Sequence, residues 1–242
     1  MRDFKGKRYW LIGASEGLGA ALAQNMSAAG ADLVLSSRDK AKLEMLASGL
    51  SGQAQVCPVD VSDQGDVDRA LSEVGDLDGV VYLAGLYWPM PAQEWNPEQA
   101  TAMMEVNLTG AMRTLGPLMQ NFVQKDAGHI VITGSLVGFR GLPRSIGYTA
   151  SKAGLMTLAE GMYYDLQKTG VAVQLVNPGY IKTRLTDKNN FKMPFIMEPE
   201  KAADIMFRHM QSNRFAISFP RVFSLLFRLG PLLPSWLYYR LY

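Results

Sequence analysis

Tyr148 is followed four positions on by Lys152, and Tyr164 by Lys168. Residues at that spacing lie one above the other on a helix, so either pair could set a phenol beside an ammonium and make an acid/base of it. Ser135 stands thirteen residues before Tyr148, and Ser151 thirteen before Tyr164, so spacing alone does not separate the two sets. Context does. Ser135 follows His-Ile-Val-Ile-Thr-Gly, a β-branched run that reads as a buried parallel strand, and sites in such sheets lie beyond the strands' carboxyl ends. Ser151 instead falls within the helix, one turn from Tyr148. Lys168 lies near the end of that helix, where a lysine complements the helix dipole. The candidate catalytic set is therefore Ser135, Tyr148 and Lys152, and the second pair reads as structural.

A phenol with a pKa near ~10 shuttles protons poorly at neutral pH, and bringing it down by ~3 units needs about 4 kcal/mol of preferential phenolate stabilisation. One ammonium about 4 Å away supplies roughly that much at an effective dielectric near ~20, before desolvation takes its share. The expectation is a lowered phenol, helped by a second positive charge.

The elements that must position these groups follow from periodicity. β-rich apolar runs recur at Arg8 to Gly13, Asp32 to Ser36, Gln55 to Val59, Gly79 to Leu83, His129 to Thr133, Val171 to Val176 and Arg214 to Phe219. Helix-period segments lie between most of them, at Gly17 to Ala29, Lys40 to Leu50, Gln64 to Val74, Gln99 to Lys125 and Gly147 to Lys168. Strand-helix alternation with strands apolar on both faces predicts an α/β fold, a doubly wound parallel sheet with helices on both sides. The 242 residues, 48% of them hydrophobic, suit one domain without a linker. With 24 basic against 22 acidic residues, no charge field points to nucleic acid. The single cysteine, Cys57, allows no internal disulfide, and the amino terminus lacks an apolar leader, so a reducing, cytoplasmic setting is expected. His129 and His209 stand alone, without ligand spacing, and no metal is expected.

The first strand runs through Gly13, Gly17 and Gly19 directly into a helix. Glycine is needed where backbone must approach a pyrophosphate closely while free helix-start amides face the anion; the same glycines also suit a plain turn. After the second strand come Ser37 and Arg38 where an acid would bind a free ribose diol. A guanidinium suits a 2'-phosphate, which favours NADP over NAD; the other reading leaves Arg38 solvated and gives the ribose to Asp39.

The GxxxGxG spacing, Ser135 and the Tyr-x-x-x-Lys pair together resemble the short-chain dehydrogenase/reductase family. The likeness extends over roughly residues 7 to 184, through Val-Asp-Val around Asp60, Val-Asn-Leu-Thr-Gly at Asn107, and Asn-Pro-Gly-Tyr-Ile-Lys-Thr ending at Thr183. It implies a Rossmann fold and assigns the phosphate turn to Gly13, Ser15, Gly17, Leu18 and Gly19. By the same resemblance, the adenosine end falls to Ser37, Arg38, Asp60 and Val61. The nicotinamide end falls to Ala84, Gly85, Pro178, Gly179, Ile181 and Thr183. Lys152 would also hold the nicotinamide ribose, Ser135 the substrate oxygen, and Asn107 a water linking Lys152 to solvent. From the residues alone, Asn107 could equally mark a helix kink, and Asn-Pro-Gly an ordinary turn. The sequence departs from the family at Ile12, where a Thr is usual, and at Tyr82-Leu83-Ala84-Gly85 in place of Asn-Asn-Ala-Gly. Both lost side chains serve to brace neighbouring segments. The position before the middle glycine, basic in some NADP-preferring members, is Glu16.

The implied reaction interconverts a carbonyl and an alcohol with NADP, NAD being the second choice. Enoyl reduction is disfavoured, because enoyl reductases of this fold usually space the tyrosine and lysine wider. A different class, a catalytically silent NADP-binding regulatory or membrane-associated protein on the same fold, is opposed by the retained Ser135, Tyr148, Lys152 and Asn107. A lipophilic small molecule is the expected substrate, from Leu136, Val137, Phe139 and Ile146, from Tyr87, Trp88 and Trp95, and from an apolar lid at about 185–213 bearing Phe191, Met193, Phe195, Ile196 and Met197. A homodimer or homotetramer through the two long helices is implied by resemblance. The apolar tail at about 220–242 sets Arg221, Ser224 and Arg228 on one helical face against Val222, Leu225, Leu226 and Leu229. It is too interrupted to span a bilayer, and two readings stay open: packing on its own lid or on a partner subunit, or peripheral contact with a membrane.

Overall fold

The computed structural model describes residues 1–240, so the last two residues of the expected tail, Leu241 and Tyr242, lie outside the described residues. Seven strands, β1 (Arg8–Ile12), β2 (Asp32–Ser36), β3 (Ala54–Val56), β4 (Gly79–Tyr82), β5 (Gly128–Thr133), β6 (Val171–Pro178) and β7 (Ala216–Phe219), form one sheet in the order β3-β2-β1-β4-β5-β6-β7. Every pairing is parallel. Chain direction across the sheet reverses between β1 and β4, which opens a crevice at the carboxyl ends of those strands.

Alternate residues of each strand feed two cores. Trp10, Ile12, Val80, Tyr82, Ile130 and Ile132 pack under α3 (Gln64–Glu73), α5 (Gly110–Gln124) and α6 (Ile146–Leu166). Tyr9, Leu11, Val81 and Val131 face the opposite way, towards α1 (Gly17–Ala28), α2 (Lys40–Ser48) and α7 (Pro199–Met210). Both faces are covered, which is why these strands are apolar throughout rather than alternating.

The segment expected as one helix from Gln99 to Lys125 is three pieces. α4 (Pro97–Met104) starts at a proline behind the Asn96 cap, a π turn covers Glu105–Thr109, and α5 follows. The π turn carries Asn107, wholly buried. The expected lid span also divides. Ala202, Ala203, Met206 and Met210 recur at helical spacing on α7 and are buried in the core beside α1, so only the part before Pro199 is free to cover a site. The tail forms α8 (Arg221–Leu229) and α9 (Ser235–Tyr238), and no described helix is long and apolar enough to cross a membrane.

At Tyr82, where the family has an asparagine, the phenol donates to the Val106 carbonyl inside the π turn at 2.6 Å. Burial pushes its pKa up, so it stays a donor. Gly110 lets it in: a Cβ there would lie 2.8 Å from the Tyr82 oxygen. Tyr82 thus fastens the tip of β4 to the π turn. Tyr82→Phe is expected to lower unfolding stability by about 1 to 2 kcal/mol, by urea titration at neutral pH. An unchanged midpoint would show that the bond contributes nothing.

Candidate active site

A cleft of about 620 Å³ runs along the carboxyl ends of the strands. The glycine turn forms its floor. Gly13 has φ +99°, and a Cβ on it would lie 2.6 Å from the Ala84 amide nitrogen; one on Gly19 would run into the Gly13 carbonyl. Gly17 (φ +56°) passes under Thr183, whose methyl would lie 2.7 Å from an added Cβ. The glycines thus let the turn pack closely on itself, on Ala84 and on Thr183, and they line the cleft together with Ser15 and Leu18. Helices α2, α3 and α4 each have a side-chain cap at the amino end, from Asp39, Asp63 and Asn96. Helix α1, like α5 to α9, has none; its first turn, Gly17 to Gly19, lies on the cleft, so its amides there keep no side-chain acceptor. That uncapped turn is the match for a phosphate.

At one end of the cleft lie Ser37, Arg38, Asp60 and Val61. Asp39 accepts from the Lys42 amide at 3.1 Å as the α2 cap, which commits its carboxylate to the helix. Asp60 is likewise engaged, accepting from the Ser62 amide and hydroxyl at 3.0 and 2.6 Å. Arg38 is exposed and has no ion pair among the described residues. Glu16 is held between Lys42 at 3.1 Å and Arg184 at 2.7 Å, and Lys42 also pairs with Asp39 at 3.6 Å, so the two carboxylates and two cations of this cluster balance. Sequence reasoning missed Lys42 and Arg184. Lys42 sits one turn after the Asp39 cap and was findable from that spacing; the approach of Arg184 across the turn was not.

At the other end the structure brings together Ser135 beyond β5, Tyr148 and Lys152 on successive turns of α6, and Ala84, Gly85, Pro178, Gly179 and Ile181 at the strand tips. Lys152 is only 4% exposed, and its Nζ donates to the Thr133 carbonyl at 2.8 Å. Desolvation lowers its pKa to about 8. Nζ stands 5.9 Å from the centroid of the Tyr148 ring. The expected lowering of the phenol is not seen. Desolvation pushes Tyr148 up to about 12; a hydrogen bond with Ser135 opposes this, and nearby Tyr87 adds to it. The ammonium is spent on a carbonyl rather than on the phenol, and burial wins. Thr133 Oγ1, on the cleft wall, is buried without a hydrogen-bond partner among the described residues.

Asn107 is close by but does not line the cleft. Its Oδ1 accepts from the Leu86 amide at 2.6 Å, and its Nδ2 donates to the Leu86 carbonyl at 3.0 Å and to Ser151 Oγ at 2.9 Å. Both amide protons are used, so the side chain clamps the loop after β4 to α6. Ser151 belongs to this clamp, donating in turn to the Tyr148 carbonyl at 2.8 Å. Tyr164 is 76% exposed, far from the partly enclosed setting of Tyr148.

Above Tyr148, the ring of Tyr87 packs edge-on with centroids 5.0 Å apart. The Tyr87 hydroxyl donates to Asn189 Oδ1 at 2.7 Å, and Lys188 Nζ donates to the Tyr87 carbonyl at 2.8 Å while lying 4.4 Å over Trp88. The lid is thus tied to the loop after β4. Of the apolar residues expected around the substrate only Trp88 lines the cleft; Leu136, Val137, Phe139, Ile146, Tyr87, Trp95 and the lid residues at 191–197 do not, Trp95 being 54% exposed and Phe139 packed into the sheet core. His129 and His209 lie on the opposite side of the molecule. His129 bridges Tyr9 and Gln174 at 2.9 Å each, and burial lowers its pKa to about 3.

Residues 7–193 match the family model described as short chain dehydrogenase. An uncharacterized oxidoreductase of Myxococcus xanthus (strain DK1622) is 35% identical over 94% of this chain and 93% of its own length. One of Staphylococcus epidermidis is 30% identical over 84% and 90%. Among solved structures, a short-chain dehydrogenase from Sphingobium yanoikuyae in complex with NADPH aligns at a TM-score of 0.82 with 26% identity, covering 89% of this chain and 88% of that one. A 7β-hydroxysteroid dehydrogenase shares the fold at a TM-score of 0.85 and 22% identity, over 99% and 97%. The chain belongs to the short-chain dehydrogenase family. It is accordingly a nicotinamide-dependent oxidoreductase of the class that acts on CH-OH groups.

Burying Lys152 opposes folding. Its pKa is depressed in the folded state, so the penalty is present below pH ~8 and fades as pH rises towards the unfolded value; stability increases through that window. The fall from 10.5 to about 8 corresponds to roughly 3 kcal/mol, offset in a variant by the loss of the bond to Thr133. Lys152→Met is therefore expected to be at least as stable as the parent at pH 7, and to lose the rise in stability between pH 8 and 10. Urea titrations across pH check both; a strongly destabilised variant would show the lysine to be a net structural asset.

Proposed function

We propose that this chain is an NADP-preferring oxidoreductase interconverting a ketone or aldehyde and the matching alcohol on a lipophilic small molecule. The observation that carries it is the single cleft with Ser135, Tyr148 and buried Lys152 at one end and Ser37, Arg38 and Lys42 at the other. The glycine turn lining the cleft and the uncapped α1 amides fit the pyrophosphate between them. When bound, the nicotinamide supplies or accepts the hydride and, oxidised, adds a positive charge near the phenol. Tyr148 gives a proton to the carbonyl oxygen in reduction and takes it back in oxidation. Ser135 hydrogen-bonds the same oxygen and stabilises the charge developing on it. Lys152 holds the nicotinamide ribose; with its ammonium bonded to the Thr133 carbonyl, easing ionisation of the buried phenol falls to the positive charge of the oxidised nicotinamide. Asn107, through Leu86 and Ser151, holds the wall and the catalytic helix in register.

NADP preference rests on Arg38 without an ion pair, on Lys42, and on Asp39 being committed to its helix; the relative solved with NADPH agrees. Apolar residues on the exposed lid, Phe191, Phe195 and Ile196, support a lipophilic substrate. The long helices α5 and α6 expose Met112, Val123, Tyr163 and Tyr164, which suits assembly into a homodimer or homotetramer. A cytoplasmic site of action fits the single buried free thiol of Cys57. No observation favours a silent regulatory role.

Purified protein with NADPH and a panel of steroid, retinoid, fatty-acyl and aromatic carbonyls should turn over at least one class. Tyr148→Phe should cut kcat by about 10²-fold or more, and undiminished turnover would reject the acid/base assignment. Arg38→Ala with Lys42→Ala should weaken NADPH binding at least ~10-fold and leave NADH binding nearly unchanged. Equal losses for both cofactors would refute the 2'-phosphate reading.

A further inference from the structure

The catalytic reading leaves one surface unused. Helix α8 buries Phe223 and Ser224 and turns Val222, Leu225, Leu226 and Leu229 outward, each between 48% and 74% exposed. Leu232, Trp236 and Tyr239 continue the patch at 65% to 78%. This is not a fraying end. Arg140 donates to the carbonyls of Gly230 and Leu233 at 2.6 and 2.7 Å and to Ser235 Oγ at 3.1 Å, and its guanidinium lies 4.0 Å over the Tyr238 ring. Tyr238 in turn donates to the Gly141 carbonyl at 2.9 Å. The leucines are held outward by a firmly docked segment.

The patch adjoins the mouth of the cleft. The Phe223 ring lies 6.0 Å from Tyr180 and 5.5 Å from Phe195 of the lid, itself 61% exposed. Its charge is one-sided. No Asp or Glu occurs after Asp204, whereas Arg221 and Arg228 border the leucine stripe and Arg240 stands beside Trp236. Packing this face against a second copy of itself would bring arginine to arginine with no carboxylate to pair them. Anionic headgroups supply that partner, while leucines enter the acyl boundary and Trp236 and Tyr239 sit at the interface.

We propose that the α8–α9 face docks this protein on an anionic lipid bilayer, with the mouth of the cleft turned to the lipid. Docking is independent of the catalytic reading; delivery of a membrane-dissolved substrate through that mouth rests on it. The test is flotation of the full-length protein with vesicles of equal parts phosphatidylglycerol and phosphatidylcholine, against phosphatidylcholine alone. Binding is expected to the anionic vesicles and to fall at least ~10-fold in about 0.5 M salt. Leu226→Asp should abolish flotation while leaving the circular dichroism spectrum and NADPH binding as in the parent, and Arg221→Ala with Arg228→Ala should weaken it roughly 10-fold. Failure to float with either vesicle overturns the proposal. So does a multimer in sedimentation that Leu226→Asp dissociates, since the face would then be a subunit interface. An inactive protein that still floats would sink only the catalytic reading.

Discussion

A buried ammonium on the wall of the cleft is the most demanding feature of this molecule. Lys152 sits 4% exposed behind the tip of β5, with one hydrogen bond to the Thr133 carbonyl and no carboxylate partner. An unpaired buried charge is tolerated only where surrounding structure fixes it. Here the sheet supplies the carbonyl and α6 supplies the stem. The proposed catalytic end of the cleft is therefore built by accepting a loss of stability, the pattern expected where environment shifts titration towards a functional range.

The groups around that lysine are held by side chains with no part in proton transfer. Asn107 uses its whole amide to join Leu86 and Ser151, and it can do so because a π turn, one residue wider than an α turn, points it inwards. Tyr82 seals the same turn from beneath through the Val106 carbonyl. Two residues of different chemistry thus fasten one bulge. The bulge in turn joins the strand of the switch point to the helix that bears Tyr148 and Lys152.

Charge is distributed with similar economy. Glu16 in the glycine turn would repel a phosphate if left alone, but Lys42, shared with Asp39, and Arg184 flank it and neutralise the cluster, leaving Arg38, unpaired among the described residues, as the positive charge there. Arg184 also ties the start of the lid to that turn, as Lys188 and Asn189 tie the lid to the loop after β4. The lid is anchored both at the glycine turn and at the loop after β4. Beyond it the carboxyl-terminal helices present leucine and arginine without a single carboxylate.

Much of this was legible in the residues. Continuous apolar strands alternating with helical periods define a parallel sheet covered on both faces, and the spacings Gly13-Gly17-Gly19 and Tyr148-Lys152 with Ser135 mark both ends of the cleft. Those signals are local, carried within one or two turns of chain, and local patterns survive in sequence. The π turn at Asn107, the role of α7 as core rather than lid, the pairing of Glu16 with two distant cations, and the outward set of the α8 leucines depend on contacts between segments far apart in the chain. The rise of the Tyr148 pKa is of the same kind. Sequence determined which phenol stands near which ammonium; only tertiary packing decided that the ammonium faces a carbonyl and that the phenol is raised rather than lowered, because desolvation is a property of everything packed around a group.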